Sequence, residues 1–130
     1  MKFIPLIGRI LFSMIFISTG LSHFFKLNDM SMYTASMGVP LPTLATLVTG
    51  AMLLLGGLSI LLGYKVKIGA LLLVVFLVPT TFIAHSFWGI EDAMQSQMQM
   101  IMFMKNFAMA GSALIFYYFG TGPFSIEDQA

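Results

Sequence analysis

The chain has 130 residues, 58% of them hydrophobic and only 8% charged, with a formal net charge of +1 and a mean hydropathy of +0.95. Soluble domains run at about 25% charged residues, so this composition excludes a soluble globular domain and indicates an integral membrane protein with room for about four spans. No basic run is present to follow a phosphate backbone, which excludes a nucleic-acid partner, and the absence of cysteine excludes disulfides, thiolate metal sites and dithiol chemistry by the chain itself.

The first span is expected at about residues 3–25. Lys2 followed by apolar residues has the form of a signal peptide, but Arg9 interrupts the apolar region and no A-x-A site follows, so an uncleaved span is the reading. Arg9, Ser13, Phe16, Gly20 and His23 follow one another at +4, +3, +4 and +3, which places them on one helical face. Such a small and polar face suits contact with other helices. Arg9 and His23 lie about 21 Å apart along the axis, too far for one compact site.

Residues 26–43 read as a loop. Lys26 and Asp29 have i,i+3 spacing, a pairing worth little if exposed. Pro40 and Pro42 hold their predecessors extended, and Thr43 is the expected N-cap of the second span, about residues 44–62. In that span Thr46, Gly50 and Gly57 share a face that Gly56 adjoins, a packing face for a neighbouring helix. Residues 63–67 form a tight basic turn.

The third span, about residues 66–85, has no charged residue from Ile68 to Ala84. Lys65 and Lys67 mark one end, and Trp88 marks the other, where an amphipathic ring suits the lipid–water interface. Pro79 removes one backbone hydrogen bond and crowds the carbonyl of Val75, so a kink is expected, with Thr80 and Thr81 available to satisfy the freed groups. After a polar loop at residues 89–99, the fourth span is expected at about 99–119, with an earlier interfacial start allowed. Ala108, Gly111 and Ser112 give it a small face, and Tyr117 and Tyr118 mark its far interface. Gly120-Thr121-Gly122-Pro123 ends the helix, and a short acidic tail, Ser125-Ile126-Glu127-Asp128, follows.

The expected fold is therefore all-α, one transmembrane four-helix bundle of antiparallel neighbours. Lys2, Arg9, Lys65 and Lys67 fall on the side of both termini, and Lys26 and Lys105 on the other, which puts the termini in the cytoplasm. With that topology His23, Lys26, His85, Trp88, Lys105 and Asn106 gather at the outer ends of the spans. The candidate ligand site is His85, Lys105 and Asn106, with His23 at its edge and Trp88 beside it. A titratable ring, a cation and an amide suit an oxygen-bearing headgroup such as a quinone. The competing reading is a structural cluster, with Lys105 extending to the outer headgroups.

Haem held between the two histidines is disfavoured, because both sit at span ends and neither belongs to a short metal-spacing motif. Met98, Met100, Met102 and Met104 alternate, but alternate residues of a helix point about 200° apart, so they do not converge on copper; no metal site is expected. Arg9 either reaches anionic headgroups or, if it points inward, takes Ser13 and helix C-terminal carbonyls as partners.

Several segments together resemble the DoxX family of small four-span membrane proteins. They are Arg9, Gly20-Leu21-Ser22-His23-Phe24-Phe25-Lys26-Leu27, Met37-Gly38-Val39-Pro40, Gly56-Gly57, Leu62-Gly63, His85-Ser86-Phe87-Trp88, Lys105-Asn106-Phe107-Ala108-Met109-Ala110-Gly111 and Gly120-Thr121-Gly122-Pro123-Phe124-Ser125. The resemblance covers nearly the whole chain and rests on order and spacing. It implies a bacterial inner-membrane protein and a redox neighbourhood, since the name-giving relatives resemble subunits of a thiosulfate:quinone oxidoreductase. It carries over no agreed catalytic residues. Without cysteine, any sulfur reaction would belong to a partner. Three functions follow as expectations: a redox-associated subunit or anchor that binds quinone and meets an oxidoreductase partner; a carrier or binding protein for a small hydrophobic molecule; and a scaffold without chemistry. The small faces also admit a homodimer.

Overall fold

The structure, a computed structural model, describes residues 1–126; Glu127 and Asp128 of the acidic tail lie outside the described residues. Among the described residues five helices follow in order: α1 Phe3–Phe25, α2 Leu27–Ser36, α3 Pro42–Leu62, α4 Val66–Ala84 and α5 Ala93–Phe119. Four of them, all but α2, are long and apolar enough to cross a membrane. Along the chain α1 packs on α3, α3 on α4 and α4 on α5, while α2 lies against α3 and α1. The helices joined by the short basic turn, α3 and α4, are neighbours as expected.

α1 buries Arg9, Ser13, Phe16 and Gly20, the face its spacing marks. Lipid tails are as apolar as leucine, so helices in a bilayer associate through close fit rather than water exclusion. Gly20 permits that fit. A Cβ there would stand 2.9 Å from the backbone nitrogen of Leu54 and 3.1 Å from the carbonyl oxygen of Gly50, both on α3. The small face of α3 is likewise inside the bundle, with Thr46, Gly50, Gly56 and Gly57 buried. Gly111 of α5, by contrast, faces outward: a Cβ there would meet no described atom within 4 Å.

Residues 26–43 are not all loop. Lys26 breaks the α1 geometry at φ −118°, ψ 45°, and the ten-residue helix α2 follows. Leu27, Met30 and Tyr33 of this helix and Met37 at its C-cap recur at +3, +3 and +4, the period of a short amphipathic helix. The polar residues between them hide it from any search for long apolar runs. Thr34 Oγ1 donates to the Met30 carbonyl at 2.8 Å and lies 3.1 Å from Thr46 Oγ1, which ties α2 to α3.

Thr43 is not the N-cap of α3. The helix starts at Pro42, whose fixed φ suits the first helical position, with Leu41 left-handed at φ 49° before it. α3 ends on Gly63 at φ 70°, and Ser59 clamps the following turn by donating to the carbonyls of Tyr64 at 2.5 Å and Lys65 at 3.0 Å. α4 is helical throughout Val66–Ala84 with Pro79 inside it, and Thr81 Oγ1 donates to the Leu77 carbonyl at 2.6 Å. α5 begins at Ala93, where the Asp92 side chain accepts from the Met94 amide at 3.0 Å. Its 27 residues extend about 40 Å against a hydrocarbon core of about 30 Å, so it is longer than a perpendicular span requires.

Arg9 does not reach the headgroups. It is 1% exposed and points into the end of the bundle where the chain closes. Nη1 donates to the carbonyls of Thr121 at 3.0 Å and Pro123 at 2.9 Å and to Ser125 Oγ at 2.7 Å. Nη2 donates to the carbonyls of Phe124 at 2.8 Å and Leu61 at 3.3 Å. The C-terminal carbonyl of α3 is thus a partner, but Ser13 is not: Ser13 Oγ and Arg9 Nε, both buried, have no hydrogen-bond partner among the described residues. The segment after α5 is further held by the Ile126 amide donating to the Leu62 carbonyl at 2.9 Å and by Phe124 stacked on Phe3 at 5.1 Å. Both described chain ends therefore lie at the α3–α4 turn.

Candidate functional site

The opposite end of the bundle is hollow. A cavity of about 530 Å³ opens between α1, α2, α3 and α4, with Met30 and Tyr33 of α2 on one side and Val75, Pro79 and Ile83 of α4 on another. Its lining is mostly apolar, and His23 and His85 both belong to it. A second cavity of about 190 Å³ lies among α1, α3, α4 and α5 and takes in His85 and Asn106. Thr19, Phe76, Thr80 and His85 line both, so the cavities meet at these four residues.

Local helix geometry sets each imidazole. His23 lies one turn beyond Gly20, and its Nδ1 donates to the Thr19 carbonyl at 2.8 Å. A carbonyl only accepts, so Nδ1 carries the hydrogen and Nε2 is left to a ligand. Gly50 makes room for this ring: a Cβ there would stand 2.7 Å from His23 Cβ. His85 follows α4 directly, and its Nδ1 donates to Gln99 Oε1 at 2.9 Å. Gln99 therefore orients the ring that faces both cavities. In the sequence it is one of three alternating glutamines, and no local signal separates it from Gln95 and Gln97.

The two other candidates stand elsewhere. Lys105 is exposed and lines neither cavity, whereas its neighbour Asn106 is 8% exposed and inward. Consecutive residues of a helix point about 100° apart, so an inward Asn106 turns Lys105 out. Trp88 is exposed and belongs to an aromatic cap with Phe82, Phe87 and Phe103, at ring-centroid distances of 6.3, 5.4 and 5.9 Å. Ser96 Oγ donates to the Phe87 carbonyl at 3.0 Å and fixes this cap to the start of α5.

This arrangement can hold an elongated apolar molecule with hydrogen-bonding groups at the imidazoles. Comparison with known proteins gives a consistent neighbourhood. A sequence model of a family described as DoxX matches residues 4–86. The chain is 32% identical over 123 residues to inner membrane protein YphA of Escherichia coli (strain K12), covering 94% of this chain and 86% of that protein. It is 33% identical over 125 residues to inner membrane protein YqjF of the same organism, covering 94% of this chain and 88% of that protein. No solved structure matches the chain.

Proposed function

The chain belongs to the DoxX family and is an integral protein of the bacterial inner membrane, and from that premise we propose that it binds a small lipid-soluble molecule of the quinone class as a redox-associated subunit or anchor. The observation that carries this reading is the apolar cavity of about 530 Å³ with two imidazoles in its wall. Apolar walls accept an isoprenoid or alkyl tail without cost, and a few convergent polar groups orient a head. With Nδ1–H committed to Thr19 and Gln99, Nε2 of the neutral ring accepts from a quinol hydroxyl and takes its proton, and the protonated ring donates to a quinone carbonyl. The chain has no cysteine, so the electrons are assigned to a partner oxidoreductase.

The test is titration of purified protein in nanodiscs with a short-tailed quinone, using empty discs as the control. His23→Ala and His85→Ala are each expected to weaken binding about three- to tenfold, the range for one lost hydrogen bond. No binding by the wild-type protein, or binding by both variants equal to that of the wild type, rejects the quinone reading.

We also infer that both termini are cytoplasmic, on the four-to-two distribution of basic residues between the two ends of the bundle. Alkaline phosphatase, active only outside the cytoplasm, is expected to be silent when fused after residue 126 and active when inserted near residue 38. The reverse pattern would invert the protein.

A further inference from the structure

The smaller cavity holds a group that the bundle itself does not use. Asn106 is 8% exposed and lines the 190 Å³ space. Its side-chain amide makes no hydrogen bond with the described residues. Neither amide atom is among the fully buried side-chain atoms without a partner, so the group faces the accessible space of the cavity, and an apolar side chain of similar size would give up no hydrogen bond of the empty bundle. Asn106 therefore has no structural account within the described chain.

Size and polarity indicate what completes it. A dry cavity of about 150 Å³ takes one benzene ring. The space beside Asn106 is about 190 Å³, a close match to one six-membered ring with small substituents and a tighter one for a fused pair. Its polar groups are Asn106, His85, Thr19 and Thr80, and the last three also border the larger apolar cavity. A molecule with its ring inside and its tail in the larger cavity would pass between them.

We infer that Asn106 anchors the head of a single-ring, oxygen-substituted lipid, a benzoquinone or the corresponding phenol, in the inner cavity. This deepens the proposed function and rests on it. An amide suits such a head in either oxidation state. Nδ2 donates to a carbonyl oxygen, and Oδ1 accepts from a phenolic hydroxyl. Asn106 is then a specificity-determining residue, since a site built to hydrogen-bond a substituent discriminates strongly against the analogue lacking it.

Three probes sharing a decyl tail test this in nanodiscs: decylbenzoquinone, decylnaphthoquinone and decylbenzene. The wild-type protein is expected to bind decylbenzoquinone at least tenfold more tightly than either of the others. Asn106→Leu should lose that preference without lowering the melting temperature of the unliganded protein, whereas loss of a structural amide would lower it. Asn106→Ala, which enlarges the cavity, should narrow the gap between one-ring and two-ring heads, and it serves if the leucine variant does not fold. Equal wild-type affinity for one-ring and two-ring heads, an undiminished preference in both variants, or a lowered melting temperature in Asn106→Leu overturns the inference and leaves the larger cavity as the binding site. Failure of all three probes to bind the wild-type protein overturns the proposed function as well.

Discussion

Arg9→Met should destabilise the protein by about 3–5 kcal/mol, since several partly buried acceptors lose their donor together and each one left unsatisfied costs about 1–3 kcal/mol. The methionine fills similar volume, so the loss is one of donors. Four carbonyls, those of Leu61, Thr121, Pro123 and Phe124, and the Ser125 hydroxyl lose their Arg9 donor at once. In the wild-type protein these oxygens, including one at the negative end of α3, balance the guanidinium charge. Arg9→Lys should fall between the two, because an ammonium is a single point of donors and cannot copy a planar fork that reaches carbonyls on two segments. Thermal unfolding in detergent measures the loss, expected as a drop of roughly 10 °C or more. Limited proteolysis reports the tail: residues 121–126 should become accessible in Arg9→Met first. A methionine variant with wild-type melting and a protected tail would reject the clasp.

Gly20→Leu should separate α1 from α3 and abolish the proposed quinone binding together. The contact at Gly20 is with backbone, 2.9 Å to Leu54 N and 3.1 Å to Gly50 O, so no rotamer change on α3 relieves it. Overpacking of this kind costs about 1–3 kcal/mol, occasionally more. The consequence for the site is larger than the cost in stability. His23 is one turn further along α1, and its ring fits only because Gly50 has no side chain. Moving α1 outward withdraws His23 from the wall of the larger cavity and widens the smaller one. Gly20→Ala should show the same effects at lower amplitude. Wild-type melting and quinone affinity in Gly20→Leu would show that α1 and α3 can part without consequence.

The four spans were legible in the chain because each is a local property. Transfer of about 20 apolar residues into hydrocarbon is favourable whatever the neighbours do, and every backbone group is then satisfied inside its own helix. The inward faces of α1 and α3 were legible for the same reason, since Arg9, Ser13, Phe16 and Gly20 repeat at the helical period. The glycines of α3 likewise mark where a neighbour comes close. α2 carried a weaker signal of the same kind, four apolar positions at helical spacing, but ten residues are too few to cross a membrane, and its role as a cavity wall depends on α3.

The meetings between distant residues belonged to the tertiary structure. Arg9 takes its partners from residues 52 to 116 positions away, and nothing local to Arg9 separates a headgroup contact from that clasp. His23 and His85 face one cavity only because α1, α3 and α4 assemble in register, and Gln99 holds His85 only because α5 starts early enough to bring it level. Lys105 and Asn106 are adjacent in the chain and go opposite ways, a choice made by which side of α5 meets α4. Burial in lipid rewards each helix separately, so it fixes the spans; the fit between helices decides which polar groups are shut inside together, and that fit is a property of pairs of surfaces rather than of any one segment.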